Sequence, residues 1–248
     1  MRHDPSFDAL WSAPAERGEP FDPERLSGLP EPARRYLTHA IAPGTRAASA
    51  VKLRMKGEIK LDAWCPFEAE EVIRWDRGFV WQARVRMHGL PITGSDRYVD
   101  GAGEMRWKLL GLLPVVTAAG PDVSRSALAR VQAEAVWLPS VLVSPDVIWE
   151  SGDDSHFGVT LRHPQHPAHV DLVIDETGRL VHLAMRRWGN PEGGPFHEGI
   201  FGGHVVAERT FEGFTVPSEV RLGWHAGTDR FASEGEFFRA TVEDATYR

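Results

Sequence analysis

The sequence predicts a mainly β protein with some helix (α+β class), built on one large curved antiparallel sheet or open half-barrel of about a dozen strands. Three observations support this fold class. Apolar and polar residues alternate along most of the 248-residue chain, as they do in half-buried strands. The alternating segments follow one another at short spacing, with turn residues between them. A sheet of that size curls or closes, so we expect an N-terminal helix and a central helix against its concave face.

The N-terminal region divides into a loose segment and a helix. Residues 1–30 are rich in Pro, Glu and Gly, and we expect this segment to be loosely structured. The next segment, EPARRYLTHAI, carries apolar residues at helical spacing, with Pro32 suited to the first turn and Pro43-Gly44 to the end. We therefore expect an amphipathic helix at the start of a single β half-barrel domain over residues 31–248.

Residues 51–61 and 78–87 carry the clearest strand patterns. In the first segment Val51, Leu53 and Met55 alternate with charged residues, which predicts one buried and one solvated face. Further strands are expected near residues 67–75, 93–99, 103–109, 146–150, 156–162, 168–174, 179–187, 203–211, 214–224 and 235–246.

The central helix is predicted over residues 124–139, and it contains an unexpected carboxylate. On a helical wheel Glu134 falls inside the apolar stripe that packs on the sheet. Arg130, one turn earlier, can hold this carboxylate in an ion pair with a purely structural role. Alternatively, Glu134 lines a cavity, where partial desolvation raises its pKa and suits it to acid or base chemistry.

Two aspartates are the other candidate acid/base residues. Asp122 follows Gly120-Pro121, where it is suited to cap the central helix or to act at the mouth of a cavity. Asp96 lies in GSDRYVDGAGEMRW, a segment with charges on both faces of a predicted hairpin. Such charges form either a cross-strand salt-bridge ladder or an internal network that orients a polar ligand group.

Nine tryptophans and twelve phenylalanines indicate an interior that is well filled or lined with aromatic rings. We expect the aromatic residues of the sheet and of the central helix to contact a ligand, and Arg97 or Arg125 to stabilise an anion. The candidate ligand-binding residues are Arg97, Tyr98, Arg125, Trp81, Trp107, Trp137, Trp188 and Trp224.

Several classes of function are disfavoured. A net charge of −7 argues against a nucleic-acid partner, and no segment approaches the roughly 18 apolar residues of a membrane helix. The first twenty residues lack the apolar core of a secretion signal, so we expect a cytoplasmic location. His163, His166 and His169 are spaced by three, but intervening prolines prevent a helical ligand face, and we predict neither a metal site nor a cofactor.

Four segments are similar to a bacterial family of unknown function that we associate with the lipoprotein-carrier (LolA/LolB-like) fold. The segments are LPITGSDRYVDGAGEMRWKLLGLLPVV, GPDVSRSALARVQAEAVWLPSVL, RWGNPEGG and GWHAGTDRFASEGEFFRATVEDA. The resemblance extends from about residue 30 to the end of the chain. It implies an unclosed antiparallel half-barrel, helices against the concave face and an apolar pocket between them, and it supplies no catalytic residues.

Three functional hypotheses follow from the sequence. The first is a binding module that holds an apolar small molecule or lipid-like ligand between the sheet and the central helix. The second is a cofactor-free cyclase, isomerase or hydrolase that uses Glu134, Asp122 and Asp96 in the same pocket. The third is an interaction domain with a solid core. Fully paired carboxylates around an apolar cavity favour the first, and unpaired carboxylates or a carboxylate–arginine pair facing the cavity favour the second. The sequence does not predict the oligomeric state.

Overall fold

The computed structural model describes residues 4–15, 18–162 and 166–248, and in these residues thirteen strands form one antiparallel sheet. The strands are β1 (Ala50–Lys60), β2 (Trp64–Arg74), β3 (Gly78–Met87), β4 (Leu90–Val99), β5 (Ala102–Leu109), β6 (Leu113–Ala119), β7 (Val147–Ser151), β8 (His156–Leu161), β9 (Ala168–Ile174), β10 (Leu180–Gly189), β11 (His197–Phe211), β12 (Phe214–Trp224) and β13 (Glu236–Tyr247). The helices are α1 (Pro5–Ser12), α2 (Glu31–Ala40) and α3 (Pro121–Ala133).

The sheet consists of two meanders that meet at its centre. Strands β1 to β6 run in sequence order from the centre to one edge, and β7 to β13 run from the other edge back to the centre. The first and last strands pair there, from Val51 opposite Tyr247 to Ile59 opposite Phe238. Helix α3 connects the two edge strands and contacts both β3–β6 and β9–β10. Because those strands are far apart in the sheet, the sheet has to curve around the helix, which confirms the predicted fold class.

Strand β6 was not predicted from the sequence. Its residues, LPVVTAA, pair with β5 at one edge of the sheet, and all but one are exposed. The segment has no alternation of apolar and polar residues because neither face is consistently buried. Pro217, a residue type that marks either an edge strand or a bulge, marks a bulge here. It lies inside β12, between two partner strands, where the register with β11 shifts at a bulge.

Helix α2 forms where the sequence predicts a helix. Its buried residues Ala33, Tyr36 and Leu37 follow the predicted helical spacing and pack into the main core. The side chain of His39, near the end of the helix, lies 2.7 Å from the carboxylate of Glu208 on β11. Apolar packing and this polar contact together hold α2 against the sheet.

The expectation that residues 1–30 are loosely structured is wrong for α1. The Asp4 carboxylate accepts a hydrogen bond of 2.8 Å from the backbone N–H of Ser6 and caps this helix. Phe7 and Leu10 are three residues apart, so both lie on one helix face, where they form a second apolar cluster with Val72 and Val80 of the sheet. Residues 1–3 and 16–17 of this segment lie outside the described residues.

The central helix starts and ends earlier than predicted. Gly120 adopts a positive φ of 114° directly before Pro121, which occupies the first turn of α3. The helix ends at Ala133, and two 3₁₀ turns continue the chain over Glu134–Trp137 and Pro139–Val143. Leu138 separates these turns with an extended φ of −132°, because a residue before proline avoids the α conformation. Among the described residues no helix is long and apolar enough to cross a bilayer.

Candidate ligand cavity

A cavity of about 320 Å³ lies between the concave face of the sheet, α3 and the turn that follows α3. Its volume is at the lower end of the roughly 300–1,000 Å³ that is typical of small-molecule sites. Most of the wall is apolar and aromatic. The apolar lining includes Ile59, Met105, Leu222, Trp224, Phe237 and Phe238.

One wall of the cavity carries a cluster of charged residues centred on Arg130 of α3. Its Nε donates to Glu134 Oε1 at 2.5 Å, and its Nη2 donates to Glu71 Oε1 at 2.7 Å. Asp96 Oδ2 lies 3.7 Å from Nη1 of the same guanidinium. The flat guanidinium also stacks on Phe79, with 4.4 Å between its carbon and the ring centroid. One arginine therefore holds three carboxylates that come from β2, β4 and the turn after α3.

Glu71 belongs to this cluster, although it is not among the site residues predicted from the sequence. Along β2 the buried positions alternate through Phe67, Ala69, Glu71 and Ile73, so Glu71 occupies the inward row of the strand. Its side chain has no solvent exposure. The acidic run EAEE obscures this pattern, because adjacent glutamates suggest a solvated strand. The alternation around it was the signal that could have identified Glu71.

Burial changes the acidity of the three carboxyl groups. Desolvation and the nearby charge of Glu134 raise the pKa of Glu71 well above its ordinary value, although Arg130 opposes the shift. Desolvation also raises the pKa of Glu134 and of Asp96, again against the effect of Arg130. For Arg130 burial favours the neutral form, but its carboxylate partners outweigh burial and raise its pKa. The cluster therefore holds a permanent cation and carboxyl groups that retain protons unusually strongly.

In each of the two glutamates of the cluster, one carboxylate oxygen accepts a hydrogen bond from Arg130, and the other has no hydrogen-bond partner among the described residues. Glu71 Oε2, Glu134 Oε2 and the Trp81 indole nitrogen are all buried and make no hydrogen bond to the described residues. Asp96 differs, since the indole N–H of Trp107 donates to its Oδ1 at 2.7 Å. A buried oxygen without a donor is costly when the group is charged, so this arrangement favours the protonated form of both glutamates.

A second arginine, Arg187 of β10, lines the same cavity. Its guanidinium stacks on Phe201 at 4.5 Å and lies 5.7 Å from the ring centroid of Trp224. Burial and the nearby positive charge of Arg130 lower the pKa of Arg187 to about 10, so it remains charged at neutral pH. Arg187 is not among the site residues predicted from the sequence.

The structure brings five of the eleven predicted site residues to the cavity. Glu134, Asp96, Trp81, Trp137 and Trp224 line it. Trp107 stands directly behind this wall, where its ring packs on Trp81 with 5.6 Å between centroids. Trp137 is fixed by a hydrogen bond of 2.9 Å from its indole N–H to the backbone oxygen of Pro217. The predicted ion pair between Arg130 and Glu134 is present, and it lies at the cavity wall.

Three predicted residues cluster outside the cavity, near the start of α3. Asp122 does not cap the helix. Its carboxylate accepts a hydrogen bond of 2.9 Å from the indole N–H of Trp188, and Gly120 occupies the cap position. Arg125 stacks on Trp188 at 4.1 Å and pairs with Glu198 at 2.9 Å. These contacts fix α3 to β10 and β11. The prediction that Asp122, Arg125 and Trp188 belong to the pocket is therefore wrong.

Arg97 and Tyr98 also lie away from the cavity. Arg97 follows Asp96 on β4, so strand alternation places it on the opposite face of the sheet, where it pairs with Glu104 and with Asp4 beside α1. The charged hairpin is therefore a salt-bridge ladder on the outer face. Of the charged residues in this hairpin, Asp96 is the one that joins the charged cluster around Arg130. Tyr98 is buried in the core and is not part of the cavity lining.

The histidine spacing noted in the sequence produces no metal cluster in the part of the chain that the structure describes. Within residues 4–15, 18–162 and 166–248, no group of three or more His, Cys, Asp and Glu side chains has a suitable arrangement. His163 lies outside the described residues.

The fold and the cavity define an antiparallel β protein that encloses a mainly apolar space between a curved sheet and a connecting helix. The chain belongs to a family of unknown function (DUF6544), whose model matches residues 19–233. This match confirms the predicted membership of such a family. No curated protein matches the chain.

Two solved structures have a backbone path similar to that of this chain. One is a LolA superfamily protein from Nitrosomonas europaea, with 9% identity, 88% of this chain and 92% of that chain covered, and a TM-score of 0.45. The other is a domain assigned to an outer membrane lipoprotein-sorting protein from Vibrio parahaemolyticus, with 8% identity, coverages of 81% and 86%, and a TM-score of 0.43.

Proposed function

We propose that the protein binds an apolar small molecule or lipid-like ligand in the cavity between the curved sheet and α3. The observation that carries this proposal is the cavity itself, which combines an aromatic and aliphatic wall with charged groups on one side. Burying apolar surface supplies the free energy of binding, and a few polar groups orient the ligand. A solid core would leave no such space.

Carboxylate–arginine pairs at the cavity wall are the arrangement expected of the enzyme, but the same cluster around Arg130 can serve a binding protein as a rigid polar wall. The carboxylates of Glu71 and Glu134 both pair with this arginine, and Asp96 bonds to Trp107, so the cluster is fixed before a ligand arrives. A fixed polar wall reduces the entropy lost on binding. It also keeps α3 at a constant distance from β2 and β4, which preserves the cavity in the empty protein.

A cofactor-free acid/base enzyme is a second candidate, and one observation favours it. Glu71 and Glu134 line the cavity, have raised pKa values and each have an oxygen without a partner. A protonated carboxyl beside an ionised one provides an acid and a base at neutral pH. In this reading the two glutamates move a proton on a hydrophobic substrate, and Asp122 takes no part because it lies outside the cavity.

The two candidates are separated by a mass-spectrometric survey of compounds retained by the native protein. Wild type is compared with Glu134→Gln, which removes the charge and keeps the shape. Glu236→Gln is a matched control, because Glu236 is a buried carboxylate that pairs with Arg221 at 2.8 Å and does not line the cavity.

One apolar compound retained unchanged by all three proteins supports the binding role. A different compound trapped by Glu134→Gln, but by neither wild type nor the control, supports the enzyme. If none of the proteins retains a compound and none binds an added apolar fluorescent dye, the binding proposal is wrong.

A further inference from the structure

Arg187 lines the cavity, and most of the N–H donors of its guanidinium make no hydrogen bond to the described residues. Its side chain is half-buried, and it is not within ion-pair distance of any carboxylate among the described residues. Its one polar contact with the described part of the chain is a long hydrogen bond of 3.4 Å from Nε to the backbone oxygen of Ser126. The two terminal nitrogens of the guanidinium are therefore available to a ligand.

The acidic side of the cluster is less accessible than Arg187. Glu71 Oε2 and Glu134 Oε2 lack partners, but both atoms are buried beneath the cavity surface. The other oxygen of each glutamate is already bonded to Arg130. A cationic head group would have to displace Arg130 to reach them, whereas an anionic group reaches Arg187 without breaking an ion pair.

The chemistry of a guanidinium defines the matching head group. Arginine presents parallel N–H donors in a planar fork, which matches the two oxygens of a carboxylate. Stacking on Phe201 and the neighbouring Trp224 fixes the plane of the Arg187 fork. Because three carboxyl groups lie on the same wall, a head group with a single negative charge fits better than one with two.

We propose that the ligand of this cavity is an amphiphile with a carboxylate head group, which binds Arg187, and an apolar chain, which packs against Leu222, Phe237 and Phe238. This inference rests on the proposed binding function and makes it specific. Charge-assisted hydrogen bonds to the guanidinium supply selectivity for the head group. The apolar wall supplies most of the affinity.

The test compares ligands that share one chain and differ in their head group. Binding of decanoate, decanol and decylamine to the wild-type protein is measured by titration of tryptophan fluorescence, since Trp81, Trp137 and Trp224 line the cavity. We expect decanoate to bind at least about tenfold more tightly than decanol, and decylamine to bind most weakly. This series needs no variant, so it does not depend on the folding of a mutant.

Two variants then assign the selectivity to Arg187. Arg187→Gln is expected to abolish the preference for decanoate while it retains the affinity for decanol. Arg186→Gln is the matched control, because Arg186 is the preceding residue of β10, is exposed and pairs with Glu198 at the surface. This control is expected to keep the wild-type preference. Thermal unfolding confirms that both variants are folded before they are titrated.

The possible outcomes distinguish a failure of the head-group inference from a failure of the proposed binding function. Equal binding of decanoate and decanol to wild type, or an unchanged preference in folded Arg187→Gln, overturns the head-group inference and leaves the binding function intact. Tightest binding of decylamine also overturns it, since the acidic groups would then be the head-group site. If none of the three compounds binds, the proposed function fails as well.

Discussion

Replacement of Arg130 by methionine tests whether the charged cluster holds α3 on the sheet. Methionine keeps much of the length of the side chain and removes its charge. Glu71 and Glu134 would each lose a hydrogen bond of 2.7 Å or less, and Asp96 would lose its nearest cation. Three carboxyl groups would then share one wall without a counter-charge in contact, so we expect a large loss of stability.

The size of this loss follows from the burial of the partners. The side chain of Glu71 is 0% exposed and that of Glu134 is 8% exposed, so solvent cannot replace the lost contacts. Removing one partner from a buried ion pair costs about 3–5 kcal/mol. With a urea dependence of about 3 kcal/mol per molar, the unfolding midpoint should decrease by about 1–2 M. The assay is equilibrium unfolding in urea at pH 7, followed by tryptophan fluorescence.

Two comparisons make this prediction refutable. Arg230→Met removes an arginine whose partner, Glu234, is more than half exposed, and it should leave the midpoint unchanged. Arg130→Met combined with Glu71→Gln and Glu134→Gln should recover much of the loss, because the uncompensated charges are then gone. A midpoint for Arg130→Met equal to that of wild type would show that the cluster does not hold the helix.

Three further perturbations probe other parts of the structure. The raised pKa of Glu71 means that the native state keeps a proton that the unfolded chain releases above about pH 4.5. Stability should therefore decrease as the pH rises above about 4.5 and through the raised pKa of the native glutamate, and Glu71→Gln should flatten this decrease in thermal melts. Trp137→Phe removes the donor to the buried oxygen of Pro217 and should cost about 1–2 kcal/mol in urea unfolding. Gly57→Ala would place a Cβ 1.9 Å from a backbone oxygen of β13 and should cost about 1–3 kcal/mol, whereas Gly28→Ala meets no atom within 4 Å and should be neutral in the same assay.

The strands were predictable where one face is buried and the other is solvated. Val51, Leu53 and Met55 alternate with charged residues, and β1 follows this pattern. The prediction failed at β6, where both faces are exposed and no period exists. It also failed for α1, because Phe7 and Leu10 are too few to establish a helical period and become significant only when Val72 and Val80 of the folded sheet meet them.

The candidate site was predictable in part. The position of Glu134 within an apolar stripe indicated a buried carboxylate, and Arg130, one turn earlier, was its expected partner. Arg187 could not be identified from a local pattern, since it joins the site through contacts with elements distant in sequence. For Glu71 the strand alternation was a usable signal, but the acidic run around it obscured that signal. Arg97 is a residue that the sequence wrongly predicted to belong to the site. A charged residue next to Asp96 suggested a shared network, but a shift of one position along a strand moves a side chain to the other face of the sheet.

The order of the strands also has a consequence for how the chain folds. Within each of the two meanders every strand pairs with its neighbour in sequence, so these contacts close short loops. The pairing of β1 with β13 joins segments separated by most of the chain. Closing so long a loop costs entropy before any contact is gained, and non-local pairing slows folding. We therefore expect each meander to assemble on its own and the seam at the centre of the sheet to form last and to limit the rate of refolding.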